Sequence, residues 1–287
     1  MTDKYAVIGN PIAHSKSPQI HVAFAKQFIN TDSPQDITYE AKQAPVDGGF
    51  ENYVSNLKAQ GYKGVNITVP FKFEALLFVV KNNGLLNPFA AKARAVNTIT
   101  FNNDGSVTGD NTDGIGLVND ITKNLKFDIS NKKILLLGSG GAAFGVLQPL
   151  ADTKPSLVII SNRTFAKAEE AAKILSELID TSQSETVCVA KRFDDLGDME
   201  FDLVINSTST GLTDTALPIS NTIFAKDCLA YDMMYGHETP FMQQAKQNGA
   251  KVADGLGMLV EQAAEAFYIW RGVRPQTAPV IAQLRNA

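Results

Sequence analysis

Short apolar runs recur along the chain, separated by longer segments whose apolar residues return every three or four positions. Tyr5-Ala6-Val7-Ile8, Ile37-Thr38-Tyr39-Glu40 and Gly64-Val65-Asn66-Ile67-Thr68 read as strands. The segments after Ser17-Pro18, from Asp47 to Gln60 and from Phe71 to Val80 read as helices. Ser17 is the expected N-cap of the first, with Pro18 at the first helical position. Val96–Phe101 and Ser106–Thr108 flank Asn102-Asn103-Asp104-Gly105, a hairpin signal. A helix starts at Asp113 and runs towards Leu125. Further strands are expected at Lys133–Leu137, Leu157–Ile160, Val187–Ala190, Leu203–Asn206, Leu229–Asp232 and Lys251–Ala253. An amphipathic helix, Met258 to Arg271, follows. This alternation predicts an α/β fold in two domains with a cleft between them. Residues 1–112 and 255–287 form an N-terminal-type α/β substrate domain, and 113–254 a Rossmann-type domain.

The second domain carries the strongest local signal. Lys133–Leu137 runs straight into Gly138-Ser139-Gly140-Gly141-Ala142. Gly138 allows the tight turn, and Gly140 lets the backbone approach a pyrophosphate. The small residues from Gly141 to Ala143 let the next helix pack close, with its N-terminus aimed at the phosphates. The end of the second strand selects the dinucleotide. An NAD site usually has Asp or Glu there, bonded to the ribose 2′-hydroxyl. Here stand Ser161-Asn162-Arg163-Thr164, with Lys167 one turn on. A carboxylate would repel a 2′-phosphate, whereas a guanidinium binds it through charge-assisted bonds worth roughly 1.5–3 kcal/mol each. The expected cofactor is NADP(H).

Composition narrows the classes. Of 287 residues 44% are hydrophobic and 20% charged, enough apolar material for two cores. A net charge of -4 argues against a nucleic-acid-binding surface. No apolar run reaches the roughly 18 residues that span a membrane. Met1–Tyr5 enters a strand-like run without a signal-peptide pattern. The two cysteines, Cys188 and Cys228, lie in strand-like runs and read as buried structural thiols in a reducing, cytoplasmic setting. The histidines His14, His21 and His237 show no metal-ligand spacing with them, and no metal is expected.

Four polar clusters fall at strand ends of the first domain, where ligands of open α/β sheets sit. They are His14–Pro18, Asn66–Lys72, Ala95–Thr98 and Asp110–Gly114. Their hydroxyls, amides, ammonium and carboxylates suit a small, polyhydroxylated, anionic substrate.

These motifs carry a resemblance. Gly9-Asn10-Pro11-Ile12 with His14-Ser15-Lys16-Ser17-Pro18, Asn66-Ile67-Thr68-Val69-Pro70-Phe71-Lys72, Asn111-Thr112-Asp113-Gly114 and Gly255–Gln262 resemble, in order and over essentially the whole chain, those of the NADP-dependent shikimate dehydrogenases. The resemblance implies reversible reduction of 3-dehydroshikimate to shikimate, on the route to chorismate and the aromatic amino acids, by a monomer or homodimer. It implies Lys72 and Asp113 as the acid/base pair, the ammonium donating a proton to the developing alkoxide and the carboxylate holding the ammonium and a substrate hydroxyl. Ser15 and Ser17 would bind the substrate carboxylate. Thr68, Asn97 and Gln262, with Asn66 close by, would bond ring hydroxyls, and Tyr235 would close over the substrate. Met233, Gly255 and the Asn206-Ser207-Thr208 loop would line the nicotinamide pocket. Three departures stand out. Lys167 replaces an arginine common in the family, Ile67 a valine, and Tyr235-Gly236-His237 lacks the proline often seen after that tyrosine. A quinate/shikimate dehydrogenase of broader range is the near alternative. A non-catalytic NADP sensor is the distant one, and it predicts loss of Lys72 or Asp113, both of which are present.

Overall fold

The computed structural model describes residues 2–179, 184–210 and 215–286. The chain divides into two compact units, Met1–Gly116 with Val260–Ala287, and Leu117–Leu259. The first opens with β1 (Asp3–Gly9), α1 (Ser17–Lys26), β2 (Ile37–Gln43), α2 (Phe50–Ala59), β3 (Tyr62–Ile67) and α3 (Lys72–Lys81). It continues with β4 (Leu85–Leu86), α4 (Pro88–Ala93), β5 (Thr98–Phe101) and β6 (Val107–Asp110). Its sheet runs β2-β1-β3-β5-β6-β4. Only β5 runs against its neighbours, pairing antiparallel with β3 and β6. The carboxyl ends of β1, β3 and β6 and the start of β5 therefore share one edge. The core explains why β1 reads as an unbroken apolar run. Ala6 and Ile8 pack on one face with Val65, Ile67 and Ile99, while Tyr5 and Val7 face Ile12 and Tyr39 on the other.

α5 (Asp113–Asn119) starts beside β6 and widens into a π-helical turn at Asp120–Asn124. The second unit then holds β7 (Lys133–Leu137), α6 (Gly141–Asp152), β8 (Leu157–Ser161), α7 (Phe165–Leu178), β9 (Val187–Ala190), β10 (Phe201–Asn206), β11 (Phe224–Asp232), α8 (Pro240–Gln247) and β12 (Lys251–Ala253). Its strands are all parallel, in the order β12-β11-β10-β7-β8-β9. This is a doubly wound sheet whose order reverses beside β7, the position of a dinucleotide site. Ile134 and Leu136 fill one face, Leu135 and Leu137 the other.

α9 (Leu256–Arg271) and α10 (Ala278–Arg285) complete the chain. Trp270 near the end of α9 stacks on Tyr5 at 4.6 Å and donates to the Ile99 carbonyl at 3.2 Å. Gly64 makes that possible, because a Cβ there would strike the indole nitrogen. Arg271 binds Asp3 and donates to Gln35 at 2.6 Å.

Four expectations need correction. Ser17 does not cap α1, since it is already helical. Lys16 occupies the cap position without a side-chain bond, and the Ser15 hydroxyl accepts from the Ser17 N–H at 3.3 Å instead. The helix from Asp113 does not stay α-helical to Leu125. Its second part is widened, and Asn124 turns back to the buried Asp120 carboxylate at 2.9 Å. Helix α2 starts at Phe50 rather than at Asp47. Cys228 is buried, but Cys188, on the outermost strand β9, is only half-buried. Two helices have signals in the sequence that went unread. Asn87-Pro88 and Thr239-Pro240 each pair a capping side chain with an N-terminal proline, Asn87 accepting from Phe89 at 3.0 Å and Thr239 from Met242 at 3.3 Å.

His21 is fully buried, stacked on Tyr39 at 4.1 Å and flanked by Phe24, Phe267 and Trp270. Burial lowers its pKa to about 3. The unfolded chain binds a proton at this histidine below its ordinary value near 6.5 and the folded one does not. Its contribution is thus complete above that pH and is lost as pH falls towards 3. Asp110, pushed up to about 6 by burial, acts with the opposite sign over part of this window. A paired comparison separates the two. In urea titrations, His21→Phe should gain on the parent by about 1 kcal/mol per pH unit between pH 6 and 4. A pH-independent difference would exclude the neutral buried imidazole.

Candidate functional site

In the first unit the shared edge of the sheet gathers most of the predicted polar residues. Lys72 is the first residue of α3, just after β3, and Asp113 the first of α5, just after β6. Their side chains meet at 2.5 Å from Nζ to Oδ2. The Asp113 side chain is 4% exposed and that of Lys72 21%, so the aspartate is sunk while the lysine side chain keeps partial exposure. An exposed ion pair is worth at most about 1 kcal/mol and needs no surroundings. This one has a fixed second partner, because Asn97 Nδ2 donates to Asp113 Oδ1 at 2.8 Å. The backbone N–H of Asp113 donates to Asn111 at 3.1 Å.

Asn97, buried at the start of β5, is the hub. Its nitrogen also donates to Thr112 Oγ1 at 3.0 Å and to Gln262 Oε1 on α9 at 3.1 Å. Its oxygen accepts from the Thr112 N–H and the Thr98 hydroxyl, both at 2.9 Å. Asn66 joins from β3, donating to Thr98 Oγ1 at 3.0 Å and accepting from the Tyr39 hydroxyl at 2.7 Å. Burial pushes the Tyr39 phenol well above its ordinary value, a rise that hydrogen bonding from Ser17 opposes. Thr68 follows β3, its methyl packed where a Cβ on Gly9 would lie. Lys72, Asp113, Asn66, Asn97 and Gln262 thus form one connected network. Ser15 and Ser17 sit at the entry to α1, with Ser17 against Tyr39. Thr98, Thr112 and Tyr39 belong to the network although the sequence reading did not single them out. The runs Asn97-Thr98 and Thr112-Asp113 placed the first two next to predicted residues, but nothing local marks Tyr39.

In the second unit the sequence-predicted turn lies at the reversal of strand order. Gly138 has φ of +100°, and its N–H donates to the Ser161 carbonyl at 2.8 Å. Gly140 caps α6, and added Cβ atoms at Gly140 and Gly141 would meet nothing within 4 Å. The loop therefore opens on free space at the N-terminus of the 12-residue α6, with Ala142 in the first turn. Ser139 Oγ is buried there without a hydrogen-bond partner among the described residues. An unpartnered hydroxyl beside N–H groups at the positive end of a helix fits a pyrophosphate. Past β8, Asn162 donates to the Thr164 carbonyl at 3.0 Å, and Arg163 and Lys167 are exposed. Two exposed cations beside the loop, where an NAD site would carry a carboxylate, fit a 2′-phosphate.

The loops after β10 and β11 are tied by Asp232 and Thr239, which the sequence reading did not single out. Asp232, fully buried, accepts from Asn206 at 3.0 Å, Thr239 at 2.6 Å and the Met234 N–H at 2.9 Å. Thr208 donates to Asn206 Oδ1 at 2.7 Å. Met233 and Gly255 are held together, for a Cβ on Gly255 would strike the Met233 carbonyl. Tyr235 follows on the same loop, half-buried, its phenol raised by burial.

Comparison with known proteins points to one family. Residues 7–99 match the shikimate dehydrogenase substrate-binding domain, residues 120–213 the shikimate/quinate 5-dehydrogenase model, and residues 255–285 the shikimate 5′-dehydrogenase C-terminal domain. The chain belongs to the shikimate dehydrogenase family. It is 55% identical to the NADP(+) shikimate dehydrogenase of Methylobacillus flagellatus, over 99% of this chain and 100% of that one. It is 51% identical to the enzyme of the same name from Herminiimonas arsenicoxydans, over 99% and 98%. Shikimate 5-dehydrogenase from Thermus thermophilus, solved with NADP(H) and shikimate, superposes with a TM-score of 0.83 at 29% identity, covering 99% of both chains.

The backbone of the glycine turn sets a clear test. In Gly138→Ala the new Cβ would sit 2.7 Å from Ser207 Oγ at a φ that L-residues rarely adopt. A loss of about 2 kcal/mol is expected in urea unfolding, and an unchanged midpoint would contradict the turn as described.

Proposed function

We propose that the chain catalyses the NADP-dependent, reversible reduction of 3-dehydroshikimate to shikimate, a step towards chorismate and the aromatic amino acids. The observation that carries the reading is the Lys72–Asp113 pair, set in a hydroxyl- and amide-rich network at the carboxyl ends of strands. Family membership narrows the substrate class.

Bound NADP(H) supplies or accepts the hydride. The chain's own groups handle the proton. In reduction the oxygen of the former carbonyl gains negative charge, and Lys72 Nζ, on a side chain that keeps partial exposure, is the proton donor. Asp113 holds that ammonium through Oδ2, while Asn97 fixes the other carboxylate oxygen, so the donor is oriented before the reaction. In oxidation Lys72 takes the proton back. Ser15 and Ser17 bind the substrate carboxylate as hydroxyl donors. Thr68, Asn66, Asn97 and Gln262 meet ring hydroxyls, and Tyr235 covers the substrate. Gly138 to Ala142 receive the pyrophosphate, Asn162, Arg163, Thr164 and Lys167 the 2′-phosphate, and Thr208, Met233 and Gly255 the nicotinamide end. A cytoplasmic setting, as monomer or homodimer, accompanies this reading. Both cysteines are free, and burial raises their thiols, Cys188 to about 11 and Cys228 to about 12.

The test is NADPH formation by purified protein with shikimate, beside quinate and beside NAD+. Strong turnover only with shikimate and NADP+ supports the proposal, and equal rates with quinate or NAD+ would replace it with a broader dehydrogenase. Lys72→Ala should lower kcat by roughly 10²–10⁴-fold with a smaller change in KM; unchanged turnover would remove Lys72 from the mechanism. Arg163→Ala should raise KM for NADP+ far more than for NAD+, and equal effects would defeat the 2′-phosphate assignment.

A further inference from the structure

The hydrogen bonds around Asn66 and Asn97 have only one consistent direction. The backbone N–H of Thr112 can only donate, so the Asn97 atom 2.9 Å away is its oxygen. Asn97's nitrogen then faces Asp113 and Gln262. The Asn97 carbonyl can only accept, so the Asn66 atom 3.3 Å from it is nitrogen. Thr98 links the two amides, accepting from Asn66 and donating to the Asn97 oxygen. Tyr39 must then donate to the Asn66 oxygen. One directed chain therefore runs from Tyr39 through Asn66, Thr98 and Asn97 to Asp113, whose other oxygen accepts from Lys72. Both hydrogens of the Asn66 amide are consumed inside it. Asn66 has only a lone pair on its oxygen left for a ligand.

Tyr39 and Thr98 are well placed to hold this order. Thr98 is fully buried and Tyr39 6% exposed. The Tyr39 ring is clamped flat against His21, 8° from parallel. The Tyr39 hydroxyl also meets Ser17, at the entry to α1.

We propose that Tyr39 and Thr98 are positioning residues for the dehydrogenase reaction, locking Asn66 with its oxygen, and Asn97 with its nitrogen, in the working direction. Asn66 then accepts from a substrate hydroxyl and rejects a group that itself needs a donor. This inference rests on the function proposed above. It also names what would be lost. Without the Tyr39 hydroxyl the Asn66 oxygen loses its donor, and only the bonds from its nitrogen to Thr98 and the Asn97 carbonyl still orient the amide. Without the Thr98 hydroxyl the Asn66 nitrogen keeps only its long contact to the Asn97 carbonyl, and Asn97 loses one of the bonds that orient it towards Asp113.

The test uses Tyr39→Phe, Thr98→Val, their combination, and Thr98→Ser, which keeps the hydroxyl. Each is assayed for kcat and KM with shikimate, KM for NADP+, and thermal stability. Tyr39→Phe and Thr98→Val should each lower kcat/KM for shikimate about tenfold and leave KM for NADP+ unchanged. Thr98→Ser should stay within about threefold of the parent, and the double variant should lose less than the product of the single losses. Purely structural hydroxyls would lower only the melting temperature, and that result overturns the proposal, as does a Thr98→Ser variant as impaired as Thr98→Val. Should the parent enzyme itself fail to turn over shikimate, the proposed function falls. The positioning chain is then decided by NMR: faster exchange of the Asn66 and Asn97 side-chain NH2 protons in Tyr39→Phe and Thr98→Val upholds it, and unchanged exchange overturns it.

Discussion

The carboxamide of Asn97 is the constraint on which the first unit's polar edge depends. It is 2% exposed, and a buried amide left unpaired costs roughly 1–3 kcal/mol. Its neighbours must therefore present acceptors to its nitrogen and donors to its oxygen. Thr98, Thr112, Asp113 and Gln262 do so, from β5, the β6–α5 junction and α9. Satisfying one amide thus draws three distant stretches of chain to one point. Lys72 arrives at the same point because α3 begins where β3 ends. The Val96 N–H donates to the Lys72 carbonyl at 2.9 Å, tying the start of that helix to the strand carrying Asn97.

The second unit solves a parallel problem with Asp232. Its buried carboxylate is answered by Asn206, Thr239 and a backbone N–H, which ties together the loops after β10 and β11. The glycine turn after β7 and the basic segment after β8 stand at the same ends of the strands. A doubly wound sheet concentrates helix N-termini there, so anions are favoured by geometry before any side chain is chosen. In each unit, then, a saturated polar side chain arranges loops that the sheet has already brought to one edge.

Much of this was legible in the residues. The apolar runs located nearly all of the longer strands, and the glycine turn with Arg163 pointed to NADP. What escaped has identifiable causes. β4 is too short to show a period, and α4 and α8 are short helices whose Asn-Pro and Thr-Pro starts resemble loops. Ser17 looked like a cap because Ser-Pro often is one. The helix begins one residue earlier, however, and Ser15 takes part of that role. The π turn at Asp120 follows no local pattern. Its carboxylate accepts from Tyr231 at 2.7 Å and abuts Gly257, two partners far away in the chain.

Sequence alone determined the elements and the chemistry at their ends, because periodicity, glycine turns and capping residues act over a few positions. It also carried the motifs that define the family. Tertiary structure decided which of those ends meet and which way each amide points. Tyr39 and His21 were unremarkable in a strand and a helix until the fold stacked them beneath Asn66. Hydrogen-bond direction depends on partners scattered along the whole chain, and only the folded chain brings them within reach of one another.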